Sequence, residues 1–136
     1  MTVASVVREI TIEANADDVW AVIGDFAEGP PRMAPDFVVR TELAAADVRV
    51  VTFANGMVAR ERLISRDNEA HRIVWAVIGD TMCPVHDNAS FQVHAEGEHR
   101  SRLVWIHDVL PDEIAQAFAA TMDQGLLVIR ETLAAT

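Results

Sequence analysis

The sequence predicts an α+β domain, and three observations carry that prediction. A strand and a short helix open the chain, six short strands separated by turn residues fill 37–110, and a helix of about 22 residues closes it. The closing helix repeats its apolar residues at helical spacing and needs a surface to bury them against. The concave face of the sheet is the surface available. A strongly curved sheet need not close completely on a helix, so the space left over is a candidate pocket. With 136 residues the chain suits one domain, 1–136, and would not supply two independent cores.

Residues 3–13 alternate, with Val6, Arg8, Ile10 and Ile12 on one face and Val7, Glu9, Thr11 and Glu13 on the other. That is a half-buried strand with one arginine on its inward side. Asn15 is placed to cap a helix whose first turn holds Asp17 and Asp18, where negative charge favours the dipole. Val19, Trp20, Ile23 and Phe26 form its apolar stripe, and Gly24 weakens its end. Three prolines in EGPPRMAPD at 28–36 exclude a continuous helix and leave an irregular connection with room for one short turn.

Strands follow near 37–43, 47–54, 57–65, 72–79, 85–95 and 100–109. Asn55-Gly56 predicts a two-residue hairpin loop, because both residues tolerate positive φ. Asp67-Asn68-Glu69 predicts the next turn, and Gly97-Glu98 a type II′ hairpin with glycine first. That last hairpin sets Phe91 against Val104 and Ala89 against Ile106 on an apolar face. Ser90 against Trp105 and Asn88 against His107 then share a mostly polar one. Pro111, Asp112 and Glu113 open the closing helix. Ile114, Phe118, Met122, Ile129 and Leu133 form its stripe, with Ala117 and Leu126 beside them. Gly125 in its middle costs ~1 kcal/mol relative to alanine, which a helix tolerates where a backbone or a ligand must come close.

Composition narrows the chemistry. All eleven basic residues are arginine and there is no tyrosine, so lysine Schiff bases, a P-loop phosphate clamp and a tyrosine acid/base are excluded. A net charge of −10 argues against nucleic acid as a partner. The single cysteine, Cys83, makes no internal disulfide and offers no metal-ligand spacing. TVASVVREITIEA shows no signal-peptide pattern, and no stretch approaches the ~18 apolar residues of a membrane span. The expectation is a cytoplasmic protein with no cofactor and no bound metal.

Four segments in order resemble one superfamily: ANADDVWAVIGDF at 14–26, RERLISRDNEAHRIVWAVIG at 60–79, NASFQVHAEG at 88–97 and RLVWIHDVLPDEI at 102–114. The chain is similar to the START-like helix-grip proteins. These include the polyketide cyclase/dehydrase and lipid-transport family, the birch pollen allergen and the plant abscisic-acid receptors. The resemblance implies a seven-stranded curved antiparallel sheet wrapped around the long C-terminal helix, with one or two short helices after the first strand. It also implies an apolar cavity between sheet and helix. Matched to the abscisic-acid receptors, Glu61 in RERL is an acidic residue lining the cavity and Trp75 an aromatic one. Phe118 and Met122 fall where the long helix meets ligand, and Asn55 and Gly56 where those receptors carry a gate loop. Those receptors anchor a ligand carboxylate with a lysine that aligns near Pro35 here, and this chain has none. The 28–36 region also lacks the tryptophan seen in bacterial relatives, so hormone recognition of that type is not implied.

The leading functional reading is a carrier or sensor for a small hydrophobic molecule. Trp75, Phe91, Val104, Ile106, Phe118 and Met122 would bury the ligand, and Glu61 and Arg8 would orient a polar end. Glu61 shares a face with Ala59 and Leu63 and points inward if Leu63 does; as a buried carboxylate it needs a partner. Arg8 has a competing structural role, reaching an edge or a nearby carboxylate. The second reading is a cyclase/dehydrase-type enzyme in which Glu61 is the base. His86-Asp87-Asn88 and His107-Asp108 hold the residue types for a general base or a divalent metal. The expected register, however, turns His107 to the convex face and makes the group a solvated sheet rim. His71, His94 and His99 are expected to be solvated. Trp105 on that convex face is unexplained in a monomer; a homodimer contact accounts for it, and so does a register displaced by one residue. A third reading, an interaction module with a collapsed cavity, would use that patch.

Overall fold

Asn15 caps the first helix as its sequence position predicts. Its Oδ1 accepts from the Asp18 amide at 2.8 Å, and its Nδ2 donates to the Asp18 carboxylate at 3.0 Å. The structure, a computed structural model, describes residues 4–135, so Val3 of the expected first strand lies outside the described residues. Strand β1 (Ser5–Ile12) is followed by helices α1 (Ala16–Ile23) and α2 (Gly29–Met33). Pro30 and Pro31 stand in the first turn of α2, where a missing N–H leaves no helical bond unmade, so the proline-rich stretch folds as one short helix. Then come β2 (Val38–Ala45), β3 (Val48–Phe53), β4 (Val58–Asp67), β5 (Arg72–Asp80), β6 (His86–Ala95), β7 (Ser101–Leu110) and helix α3 (Asp112–Leu133).

The seven strands form one antiparallel sheet in the order β1-β7-β6-β5-β4-β3-β2. The first strand thus closes onto the last while the other five follow by hairpins. Helix α3 crosses the concave face and packs against β1, β7 and α2. Ile12, Val19, Ile23, Ile73, Leu103 and Ile129 are buried in the main core beneath it. The inward faces of β3, β4 and β5 lie farther along the same concave face, and there the helix leaves open volume. The arrangement is the predicted sheet gripping a helix.

Two hairpins differ from the expected turns, both by one residue. Between β3 and β4 the loop is Ala54-Asn55-Gly56. The Phe53 amide donates to Met57 O at 2.9 Å, Gly56 takes φ +90°, and the Met57 amide donates to the Asn55 side chain. Three-residue loops of this kind end on a residue in the left-handed region, which glycine occupies without strain. Between β6 and β7 the Glu96 amide donates to Arg100 O, which leaves Gly97, Glu98 and His99 in the loop, with Gly97 at φ +129°.

That single extra residue flips β7. The observed pairs are Phe91 with Trp105 and Ala89 with His107, in place of Phe91 with Val104 and Ala89 with Ile106. A one-residue shift sends every side chain to the other face of a strand. Trp105 and His107 therefore point toward the helix, and Val104 and Ile106 away from it. His71 also departs from expectation: it is half-buried, stacked on Trp20 with centroids 5.5 Å apart and its backbone at φ +53°.

Candidate functional site

The open volume under α3 has two lobes. The larger, of ≈ 290 Å³, is bounded by the β3–β4 loop, β4, β5, β7 and α3, with Met57, Met82, Phe118 and Met122 in its wall. The smaller, of ≈ 70 Å³, runs inward past α2 between Met33, Val51, Phe91 and Ile129. Phe37, Phe53, Glu61, Trp75 and Trp105 line both lobes and form the partition between them. Aromatic packing holds that partition: Trp75 and Trp105 flank Phe91 at centroid distances of 5.0 and 4.6 Å, and Phe37 meets Phe53 edge-on. Gly125 brings α3 down onto it. A Cβ there would stand 3.4 Å from Phe37 and 3.5 Å from Trp105, the close approach its mid-helix position suggested.

Glu61 is buried in the wall and is paired with Arg49, its cross-strand neighbour on β3. Arg49 Nε donates to Glu61 Oε1 at 2.8 Å, and Nη1 donates to the Phe26 carbonyl at 3.1 Å. The guanidinium carbon stands 4.5 Å from the Phe26 ring centroid and 5.4 Å from that of Trp75. Aromatic faces and a carboxylate together hold this buried cation.

A second buried pair faces the larger lobe from β6 and β7. His107 Nε2 lies 2.7 Å from Asp87 Oδ2, with the His107 residue 4% exposed. The β5–β6 ladder ends at Trp75–Ala89, and Asp87 Oδ1 accepts the Val77 amide beyond that point at 2.9 Å. Phe118 of α3 covers the imidazole, with ring centroids 4.4 Å apart. Trp105 Nε1 is buried and has no hydrogen-bond partner among the described residues.

Of the residues proposed from sequence, Glu61, Trp75, Phe118, Met122 and Asn55 line the larger lobe, and Phe91 lines the smaller. Gly56 is in the same loop as Asn55 but lines neither lobe. Val104 and Ile106 are corrected: the flipped register places them on the face of β7 away from the cavity. Arg8 lines neither lobe. Its Nε donates to Asp123 of α3 at 2.7 Å in a half-exposed ion pair, the structural role weighed against ligand contact. His107 and Asp87 move from an expected solvated rim to the cavity wall, and Trp105 leaves the convex face where it had suggested a dimer contact. The cavity is not collapsed. Arg49, Phe37, Phe53, Met57 and Met82 were missed. A strict alternation through VRVVTF with the correct loop length would have put Arg49 opposite Glu61.

Among the described residues no group of three or more His, Cys, Asp or Glu side chains is placed to hold a metal ion. No helix among the described residues is long and apolar enough to cross a membrane.

A seven-stranded antiparallel sheet gripping a long C-terminal helix over a lined cavity defines a START-like helix-grip protein. Within that class the chain belongs to the polyketide cyclase/dehydrase and lipid transport family, whose pattern it matches over residues 3–134. No curated protein matches it in sequence. Solved structures do in shape. An uncharacterised protein from Bacillus thuringiensis superposes with a TM-score of 0.86 at 18% identity, covering 96% of this chain and 98% of that one. A START superfamily protein from Mycobacterium smegmatis gives 0.72 at 14% identity, covering 95% and 98%. The di-domain ARO/CYC BexL of the BE-7585A biosynthetic pathway gives 0.79 at 15% identity, covering 96% of this chain and 46% of that one. At these identities the likeness is one of fold.

Proposed function

We propose that the protein binds a small hydrophobic molecule in the two-lobed cavity, as a carrier or sensor. The observation that carries this reading is the wall itself. Aromatic and methionine side chains enclose ≈ 290 Å³ in the larger lobe, near the lower end of the roughly 300–1,000 Å³ of small-molecule sites, with a few buried polar groups among them. Burying apolar ligand surface there contributes about 25 cal/mol per Å². Met57, Met82 and Met122 are unbranched and polarisable, and adapt to a ligand outline that rigid side chains would reject. The hairpin tip at Asn55 and Gly56 stands at the mouth as the gate.

Native mass spectrometry of gently purified protein tests the reading. A co-purifying small molecule near one per chain, released on denaturation, supports it and identifies the chemical class. An unliganded mass that stays unliganded after incubation with small apolar compounds counts against it.

A second reading, an enzyme of the cyclase/dehydrase type, is favoured by one observation: an imidazole backed by a carboxylate faces the cavity. Glu61 is held by Arg49, so His107 is better placed than Glu61 to serve as base. Glu61→Gln abolishes turnover only if Glu61 is that base; unchanged turnover removes it.

A further inference from the structure

We propose, resting on the ligand-binding reading above, that the His107 end of the larger lobe is a subsite for a ligand hydroxyl, and that Asp87 sets its polarity by fixing the tautomer of His107. A carboxylate that takes the Val77 amide through Oδ1 at 2.9 Å accepts from the imidazole through Oδ2 at 2.7 Å. Nε2 then carries the ring proton and Nδ1 presents a lone pair. Among the described residues no protein group donates to Nδ1, although the residue is buried and lines the cavity. Nδ1 does not belong to the buried unpaired atoms: it stays open on the cavity side, where a ligand O–H can donate to it.

Trp105, two residues back on the same face of β7, adds the complementary group. Its Nε1–H is buried and has no acceptor among the described residues. The other buried unpaired atoms, Thr41 Oγ1 and Ser101 Oγ, belong to residues that do not line the cavity. This part of the wall thus carries one acceptor, His107 Nδ1, and one buried unpaired donor, Trp105 Nε1, with Phe118 packed on the imidazole and Phe91 on the indole. The ligand chemistry that fits is an apolar body bearing a hydroxyl that donates to His107. A ligand whose polar end only accepts would leave Nδ1 unpaired.

Three probes separate these cases: naphthalene, 2-naphthol, and 2-methoxynaphthalene, which keeps the oxygen and lacks the donor. Calorimetric titration of the full chain is expected to show 2-naphthol binding about tenfold more tightly than either of the others. In the Asp87→Asn variant the carboxamide oxygen accepts from the Val77 amide and its N–H donates to Nε2, so the ring proton moves to Nδ1. The advantage of the hydroxyl is then lost, because Nδ1–H donates to the oxygen of 2-naphthol and of 2-methoxynaphthalene alike. A purely structural role for Asp87 would weaken all three probes alike.

A measurement on the unmodified protein keeps the proposal open to failure if the variant does not fold. The ring 15N shifts of His107 are expected to report the Nε2–H tautomer, with the Nδ1 resonance moving when 2-naphthol is added. Probes that bind with no preference for the hydroxyl, or an Nδ1–H tautomer in the unmodified protein, would overturn the subsite and leave the cavity as a ligand site. Failure of all three probes to bind would overturn both.

Discussion

Arg49–Glu61 on β3 and β4 and Asp87–His107 on β6 and β7 face one cavity, and they differ in what they leave free. Arg49 is closed in by Glu61, the Phe26 carbonyl and two aromatic faces, so its charge is balanced within the protein. Asp87 is likewise closed, by the Val77 amide and His107, but His107 keeps one ring nitrogen without a protein partner. The first pair therefore contributes a fixed wall, and the second contributes a wall with one unsatisfied position. The cavity wall thus combines a fixed charge pair with a polar atom left free for a ligand.

The largest expected effect comes from breaking the closed pair. Arg49→Met leaves the Glu61 carboxylate buried and unpaired, and urea denaturation should show a loss of about 3–5 kcal/mol. The double variant Arg49→Met/Glu61→Leu should recover most of it, because no charge is then stranded. A single-variant loss below about 1 kcal/mol would erase the distinction between the two pairs. Phe118→Ala acts on the open pair by uncovering the His107 ring. Phe118 is half-buried, so the expected loss is about 2 kcal/mol, below that of a fully buried phenylalanine, and 2-naphthol binding should weaken with it.

Gly125→Ala should act in the opposite direction on stability. The added methyl reaches Phe37 and Trp105 at ordinary contact distance, and relief of the helix penalty should raise stability by about 0.5–1 kcal/mol in thermal unfolding. It also tightens the neck between the lobes, so ligands that extend into the smaller lobe should bind less well while those confined to the larger one should not change. Arg8→Ala should do least. Its pair with Asp123 is half-exposed, so the loss should stay under about 1 kcal/mol with probe affinity unchanged. A marked fall in affinity would return Arg8 to the binding site.

The fold was legible because its signals are local. The Asn15 cap and the long stripe from Ile114 to Leu133 each dictate an element without reference to the rest of the chain. Glu61 was legible for a similar reason: sharing a face with Ala59 and Leu63 requires only alternation along one strand. Its partner was not. Reading Asn55-Gly56 as a two-residue loop sets Arg49 opposite Arg62, whereas the three-residue loop sets it opposite Glu61. The same mistake at Gly97-Glu98 turned His107 and Trp105 outward. Glycine signals that a hairpin needs positive φ, but not how many residues flank it, and register follows from that count. Both polar pairs of the cavity were therefore hidden by one residue each. An unexplained tryptophan on an outer face was the visible symptom.

The three tryptophans allow the most direct test of the cavity as the ligand site. Trp75 and Trp105 line it, whereas Trp20 lies outside, with its indole N–H donating to Asn68 at 3.1 Å. Their indole resonances in a 1H–15N spectrum, assigned by Trp→Phe replacement, can be followed while 2-naphthol is added. Binding in the cavity predicts saturable shifts at Trp105 and Trp75, largest at Trp105, with Trp20 unmoved. A shift confined to Trp20, or saturable binding that moves none of the three, would place the ligand elsewhere and contradict the account.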